Sequence, residues 1–284
     1  MIVVTGATGN IGRSLVDQLL ARGASVRALT RDPERAGLPA GAETVRADLT
    51  DPASAARALE GAESVFLNLA AGGDRAADAV IDAAVKSGVR RIVLNSSMAV
   101  TDGFEDQDNF IARMHAGLEQ AVQSSGLEWT FVRGGMYATN ALKWAPEIRE
   151  TGVVHDAHPQ ANGAPVHEAD LAAVAAAALL DTTGEHLHQA YVVTGPAKLT
   201  MAEQVAEIGR AIGREIRFEE IPAEQAAEAM AGAHFPKDVA LRLLDMFAST
   251  IGTEPLITDT VQHVTGHPAR TFTQWATDHA PDFR

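Results

Sequence analysis

The chain has 284 residues, no cysteine and a formal charge of −14, so disulfides, thiolate metal sites and cysteine nucleophiles are ruled out. Hydrophobic residues make up 46% and charged residues 21%, an ordinary balance for a globular protein with one sizeable core. Residues 1–140 carry 13 Lys+Arg against 17 Asp+Glu and residues 141–284 carry 10 against 20, so neither half offers the basic stripe that tracks nucleic-acid phosphates or an anionic membrane.

The opening Met1-Ile2-Val3-Val4-Thr5-Gly6 has neither a basic segment nor a long apolar one, so no signal peptide is expected. Strand Ile2–Thr5 leads through glycines into helix Ile11–Arg22, and strands follow at Ser25–Thr30 and Glu43–Arg46. Helix Pro52–Leu59, strand Ser64–Leu69, helix Asp74–Ser87, strand Arg91–Asn95, helix Asp108–Ser125 and strand Glu128–Arg133 continue the alternation. Several of these strands are nearly unbroken in Val, Ile, Leu and Phe, as strands covered on both faces must be. Gly23, Gly61, Gly88 and Gly126 stand just past helix ends, where a left-handed residue is expected. The pattern predicts an α/β fold with a Rossmann-like doubly wound parallel sheet.

Beyond residue 135 the rhythm changes. Helices are predicted at Tyr137–Glu150, Glu168–Leu180, Met201–Ile212, Ala223–Ala231, Lys237–Ser249 and Thr258–Val264, with only two further strands, Ala190–Thr194 and Glu215–Glu220. The run Leu171 to Leu180 is too short for a bilayer and predicts a buried helix. Thr271-Phe272-Thr273-Gln274-Trp275 reads as a capped amphipathic segment. Residues 1–135 are thus expected to form a dinucleotide-binding domain and residues 136–284 a smaller, mainly helical substrate lobe. No flexible linker separates them, so one interlocked unit is expected.

Thr5-Gly6-Ala7-Thr8-Gly9-Asn10-Ile11-Gly12 follows a strand and opens a helix, the context in which a glycine-rich fingerprint carries meaning. Gly6 permits a tight turn, Gly9 lets backbone approach a pyrophosphate, and Gly12 allows close helix–strand packing. The helix N-terminus then aims unpaired N–H groups at phosphate. At the end of the second strand, where an NAD site places a carboxylate on the ribose 2′-hydroxyl, the chain has Thr30 and Arg31, with Arg35 a turn later. A guanidinium there suits a 2′-phosphate, so NADP(H) is the expected cofactor, with NAD(H) allowed. Asp48 and Leu49 after the third strand, and Asn68, Leu69 and Ala70 after the fourth, lie at the same carboxyl edge and complete the predicted cofactor site.

In these motifs the sequence resembles the NmrA-like group of atypical short-chain dehydrogenase/reductases. The matching stretches are Val4–Gly12, Val26–Pro33, Ala47–Leu49, Leu127–Arg133, Val166–Ala172 and Thr194–Pro196, spread over nearly the whole chain. The resemblance implies a Rossmann domain, preference for NADP(H), and a substrate cleft beside a C-terminal lobe. It also implies one of two activities: reduction of quinones and enone-type compounds, or non-catalytic sensing of the cofactor through a protein partner. A third alternative is a non-redox isomerase or cyclase on the same scaffold.

The departure from the family's usual chemistry is at the helix after the fifth strand. Short-chain dehydrogenases carry Tyr-x-x-x-Lys there, with a serine near the strand end; here Ser96 or Ser97 fills the serine position, but the helix holds His115 and Glu119 in the Tyr/Lys spacing. His115 is the candidate proton donor, with Glu119 orienting it, and a structural helix pair is the bland alternative. Tyr137 is a second candidate donor, so the catalytic set reads His115, Tyr137 and Ser96. Tyr137 and Asn140 offer polar contacts to substrate, Trp144 an apolar wall, and His167 a cleft-facing ring. The loop histidines His155, His158, His186 and His188 lack the partners for a metal site, and none is predicted. The expectation is a cytoplasmic NADPH-dependent reductase of a conjugated or quinonoid carbonyl small molecule, with a homodimer allowed.

Overall fold

A computed structural model describes residues 1–68, 73–101, 109–231 and 236–284. In chain order the first segment runs β1 (Ile2–Val4), α1 (Asn10–Ala21), β2 (Val26–Thr30), β3 (Glu43–Arg46), α2 (Pro52–Ala58) and β4 (Ser64–Asn68). It continues through α3 (Gly73–Lys86), β5 (Arg91–Ser97), α4 (Phe110–Ser124) and β6 (Glu128–Gly134). A 3-10 turn, Ala138–Trp144, then leads into α5 (Ala145–Thr151), β7 (Val153–Asp156) and β8 (Asn162–Gly163). The remaining elements are α6 (Glu168–Leu180), β9 (Gln189–Val193), β10 (Leu199–Thr200), α7 (Met201–Ile212), β11 (Arg217–Glu220), α8 (Ala223–Met230), α9 (Lys237–Ala248), α10 (Thr260–Thr265) and α11 (Phe272–Asp278).

The chain divides into two units. The first gathers Met1–Gly135, Glu168–Val193 and Thr260–Pro268; the second gathers Met136–His167, Thr194–Asp259 and Ala269–Arg284.

In the first unit, seven strands among the described residues form a wholly parallel sheet in the order β3-β2-β1-β4-β5-β6-β9. The order reverses at β1, the topological switch point at which doubly wound sheets bind ligands. Alternate residues Val3, Val65, Leu67, Ile92 and Leu94 pack with α2, α3 and α4 in one core cluster. Helices α1 and α6 pack on each other and on the strands from the opposite face. The predicted buried helix is present: α6 has Leu171, Val174, Ala175 and Leu179 all out of solvent. Its C-terminus is held by Arg91, fully buried on β5, which donates to the carbonyls of Ala178 at 2.6 Å and Asp181 at 3.0 Å. The four glycines expected past helix ends all take the left-handed conformation, with φ of +76° at Gly23, +69° at Gly61, +73° at Gly88 and +76° at Gly126.

The second unit has its own core of Trp144, Ile148, Val154, Ile208, Phe272, Trp275 and Phe283. Thr271 and Gln274 form the capping box expected at the start of α11. More strand is present here than the sequence pattern predicted, because β7, β8 and β10 are short and pair only in two-stranded ribbons. Pieces of two to four residues leave no period to read. The single helix expected over Tyr137–Glu150 is instead a 3-10 turn followed by α5, and Pro146 lies in the first turn of that helix, where a missing N–H costs nothing.

β7 and β11 run parallel with His155 opposite Glu219. The imidazole Nδ1 contacts the Glu147 carboxylate, and Nε2 lies 3.3 Å from Glu219. The hydrogen bond to Glu147, followed by the two negative charges, raises the His155 pKa. A raised folded-state pKa means that the histidinium stabilises the fold. That contribution is complete below the unfolded histidine pKa of about 6.5 and is lost as pH climbs through the higher folded value. Comparing melting temperatures of the wild type and His155→Gln across pH should show a gap at mildly acid pH that closes in the alkaline range; a pH-independent gap would refute the linkage.

Candidate functional site

The turn after β1 has the geometry its glycines predict. Gly6 has φ of +61°, and the Gly9 N–H donates to the Gly6 carbonyl at 3.0 Å, closing the turn. A Cβ on Gly12 would fall 2.1 Å from the Gly6 oxygen, so only glycine lets α1 approach this closely. Gly9 caps α1 in extended conformation without a side-chain hydrogen bond, and the first turn of α1 holds no acidic residue. Its leading N–H groups and partial positive charge are thus not neutralised by the helix itself, which fits a diphosphate.

Around this turn lies an open pocket of about 480 Å³, lined by Gly6, Thr8, Gly9, Leu29, Thr30, Arg31, Asp32, Arg35, Ala36, Ala47, Leu49 and Asn68. Eight of the residues singled out from sequence, Gly6, Thr8, Gly9, Thr30, Arg31, Arg35, Leu49 and Asn68, are therefore brought to one wall system. Arg31 and Arg35 are exposed there, and among the described residues neither guanidinium makes a hydrogen bond or an ion pair. Leu29 on β2, Ala36 after the 3-10 turn Pro33–Arg35 and Ala47 just past β3 add buried apolar lining that sequence reading passed over, since small or aliphatic side chains carry no chemical signal in the sequence.

Other members of the predicted set act behind the wall. Thr5 is fully buried and its hydroxyl accepts the Asn68 N–H at 2.8 Å, tying β1 to β4 at the switch point. Ile11 and Gly12 are buried in the α1 packing, and Asn10 is exposed at the first helical position. Asp48 does not line the pocket. Its carboxylate accepts the Thr50 hydroxyl at 2.7 Å and the Thr50 N–H at 2.9 Å, which lower its pKa together with Arg31. Leu69 and Ala70 lie outside the described residues.

The expected catalytic set is rearranged by burial. Ser96 is fully buried and donates to Glu119 Oε1 at 2.5 Å. Glu119, itself buried, also receives Arg133 in a two-pronged ion pair, Nε to Oε1 at 2.9 Å and Nη2 to Oε2 at 2.7 Å. Glu119 therefore serves β5 and β6, not the orientation of His115, and the Ser96 hydroxyl is committed to the protein interior. An arginine from β6 compensates the carboxylate that stands at the lysine position; a charged residue within an apolar strand was the signal for it. His115 is half-buried on α4.

In the second unit, Tyr137 is half-buried where the chain bridges to Val166, and Asn140 is exposed. Trp144 differs from the expected wall residue: its ring is buried in the core and its N–H donates to Asp156 at 2.8 Å, beside the Lys143 ammonium at 2.6 Å from the same oxygen. His167 is buried with Nε2 3.3 Å from Asp278. Among the described residues no cluster of His, Asp and Glu is arranged for a metal. Nor is any helix there long and apolar enough to cross a membrane.

Replacing Glu119 by alanine takes away the carboxylate that both prongs of the Arg133 guanidinium meet in a nearly dry site. The expected loss is about 3–5 kcal/mol of unfolding free energy by denaturant titration, with Glu119→Gln losing distinctly less. Equal, small losses for both would mean that the pair is not dry.

Comparison with known proteins extends the geometry. The model of an NAD(P)H-binding family matches residues 6–182. The chain is 40% identical over 284 residues to the (4-alkanoyl-5-oxo-2,5-dihydrofuran-3-yl)methyl phosphate reductase of Streptomyces griseus subsp. griseus, covering 100% of this chain and 99% of that one. It is 36% identical to the NAD(P)H azoreductase of Xenophilus azovorans, covering 100% and 99%. Among solved structures, the NADPH-dependent quinone oxidoreductase of Escherichia coli complexed with NADPH superposes with a TM-score of 0.78 at 26% identity, over 98% of this chain and 99% of that one. Fold, glycine turn and whole-length similarity thus converge: the chain belongs to the NAD(P)H-binding, NmrA-like atypical short-chain dehydrogenase/reductases and is an NAD(P)H-dependent oxidoreductase.

Proposed function

We propose that this oxidoreductase prefers NADPH and reduces electron-poor, conjugated carbonyl compounds of the enone or quinone type. The observation that carries the substrate class is the Ser96–Glu119–Arg133 network. Where a typical short-chain dehydrogenase keeps a tyrosine, a lysine and a serine for acid–base work on a hydroxyl or a ketone, this chain has His115 at the tyrosine position, and the other two positions, Ser96 and Glu119, are engaged in a buried network with Arg133. A simple ketone would develop a localised alkoxide and needs a strong general acid, a contribution of about 10²–10⁴ in rate. A conjugated acceptor spreads that charge over its π-system and requires far less. NAD(P)H, when bound, supplies the hydride. The accompanying proton is assigned to His115 or Tyr137, with Tyr137 and Asn140 contacting the substrate. The names of the relatives agree in kind, since a dihydrofuranone bearing an alkanoyl group, an azo compound and a quinone are all conjugated acceptors.

On the cofactor side, the turn at Gly6–Gly9 and the α1 N-terminus would hold the diphosphate, and Leu29, Ala47 and Leu49 would offer apolar surface to the adenine. Arg31 and Arg35 supply charge-assisted donors for a 2′-phosphate that NADH lacks.

A panel assay of NADPH oxidation, followed by the loss of nicotinamide absorbance, tests the substrate class. Quinones and activated enones should turn over at least about 10²-fold faster than unactivated ketones; comparable rates on simple ketones would overturn it. The paired substitution Arg31→Ala with Arg35→Ala should weaken NADPH binding by about 10–100-fold and leave NADH binding nearly unchanged in equilibrium titrations. An unaltered NADPH-to-NADH ratio would remove both arginines from the site.

A further inference from the structure

Four arginines surround the segment between β2 and β3, and they divide by what they touch. Arg31 and Arg35 line the pocket, and among the described residues neither guanidinium has a hydrogen-bond or ion-pair partner. Arg13 and Arg46 do not line it; both donate to main-chain carbonyls of the segment itself. Arg13, on the first turn of α1, places Nη1 2.6 Å from the Gly37 oxygen and Nη2 2.8 Å from the Ala36 oxygen. Arg46, at the end of β3, places Nη1 2.8 Å from the Arg31 oxygen. Within the segment itself, Ala36 is buried, the Asp32 N–H donates to the Thr30 hydroxyl at 3.2 Å and the Ala42 N–H to the Pro39 oxygen at 3.0 Å. The segment's 3-10 turn, Pro33–Arg35, buries no residue and is closed by a 3.3 Å contact from the Ala36 N–H to the Pro33 oxygen. Gly37 stands in the left-handed region with φ of +56°.

We infer that Arg13 is a positioning residue for cofactor specificity: its guanidinium fork clamps Ala36 and Gly37 to the helix that opens at the pocket, and so holds Arg31 and Arg35 on the pocket wall, where they would meet a 2′-phosphate. A planar fork meeting two successive carbonyls is a geometry that arginine supplies and lysine does not. Without the clamp, the two pocket arginines remain in the chain but must be ordered at the moment of binding, and that cost falls only on a ligand that uses them. Arg46 secures the opposite end of the segment and contributes a smaller share through its single bond.

This inference rests on the reading of Arg31 and Arg35 as the 2′-phosphate donors, and the experiment separates the two. NADPH and NADH dissociation constants are measured by equilibrium titration for wild type, Arg13→Ala, Arg13→Lys, the Arg31→Ala/Arg35→Ala pair, and the triple variant. KM and kcat are followed in parallel, and thermal melts check folding. Arg13→Ala should weaken NADPH about tenfold, the worth of two backbone hydrogen bonds, with NADH changed less than about twofold and kcat at saturating NADPH retained. Arg13→Lys should recover only part of the loss. In the triple variant the Arg13 effect should vanish, because the groups it positions are gone. Equal losses for NADPH and NADH, or an undiminished Arg13 effect in the triple variant, would overturn the clamp and leave the pocket arginines standing. No change of preference in the Arg31/Arg35 pair would instead overturn the underlying reading, and the clamp with it.

Discussion

The approach of α1 to β1 at the Gly6–Gly12 contact is the constraint on which the site depends. With a Cβ at position 12 only 2.1 Å from the Gly6 oxygen, any side chain would drive the helix away from the sheet. Because the contact is tight, the helix begins at the carboxyl edge of β1, where the strand order reverses. A backbone N-terminus without its own acidic neutraliser then faces the pocket. Thr5 reinforces the junction from beneath by joining β1 to β4. Position, orientation and charge of this helix end all follow from one close approach between two glycines.

Charge is distributed with equal economy in an acidic chain. Its arginines do three separate kinds of work in the first unit. Arg91 and Arg133 are drawn inside to satisfy helix carbonyls and a buried carboxylate. Arg13 and Arg46 bind loop backbone. Arg31 and Arg35 line the pocket. A buried ion pair is worth little net stability against apolar residues of equal volume, but removing one partner is expensive. The Glu119–Arg133 pair is thus better understood as a commitment: it holds the Ser96 hydroxyl and the Glu119 carboxylate in the protein interior.

Much of this was legible in one dimension because the relevant signals are local. The glycine turn, the left-handed glycines closing the helices, the apolar strands and the buried α6 each depend on residues within a few positions of each other, and each is present. That Arg31 reaches the pocket wall was legible too, since the residue after β2 has a fixed relation to the switch point. The short strands of the second unit were not, because strands of two to four residues contain no period.

Side-chain destinations belong to the folded chain alone. His115 and Glu119 share a helical spacing, and spacing suggested that they act together; Glu119 instead turns to Arg133, 14 residues away, and to Ser96, 23 residues away. Trp144 has the character of a cleft wall by type but finds Asp156 and the second core. Arg13 has no distinguishing mark in the sequence beyond following Gly12, and its role arises only because α1 and the segment after β2 come side by side. Periodicity and glycine placement encode the backbone path, since sterics act between near neighbours. Which charges meet depends on distances across the sheet, and those exist only once the path has closed.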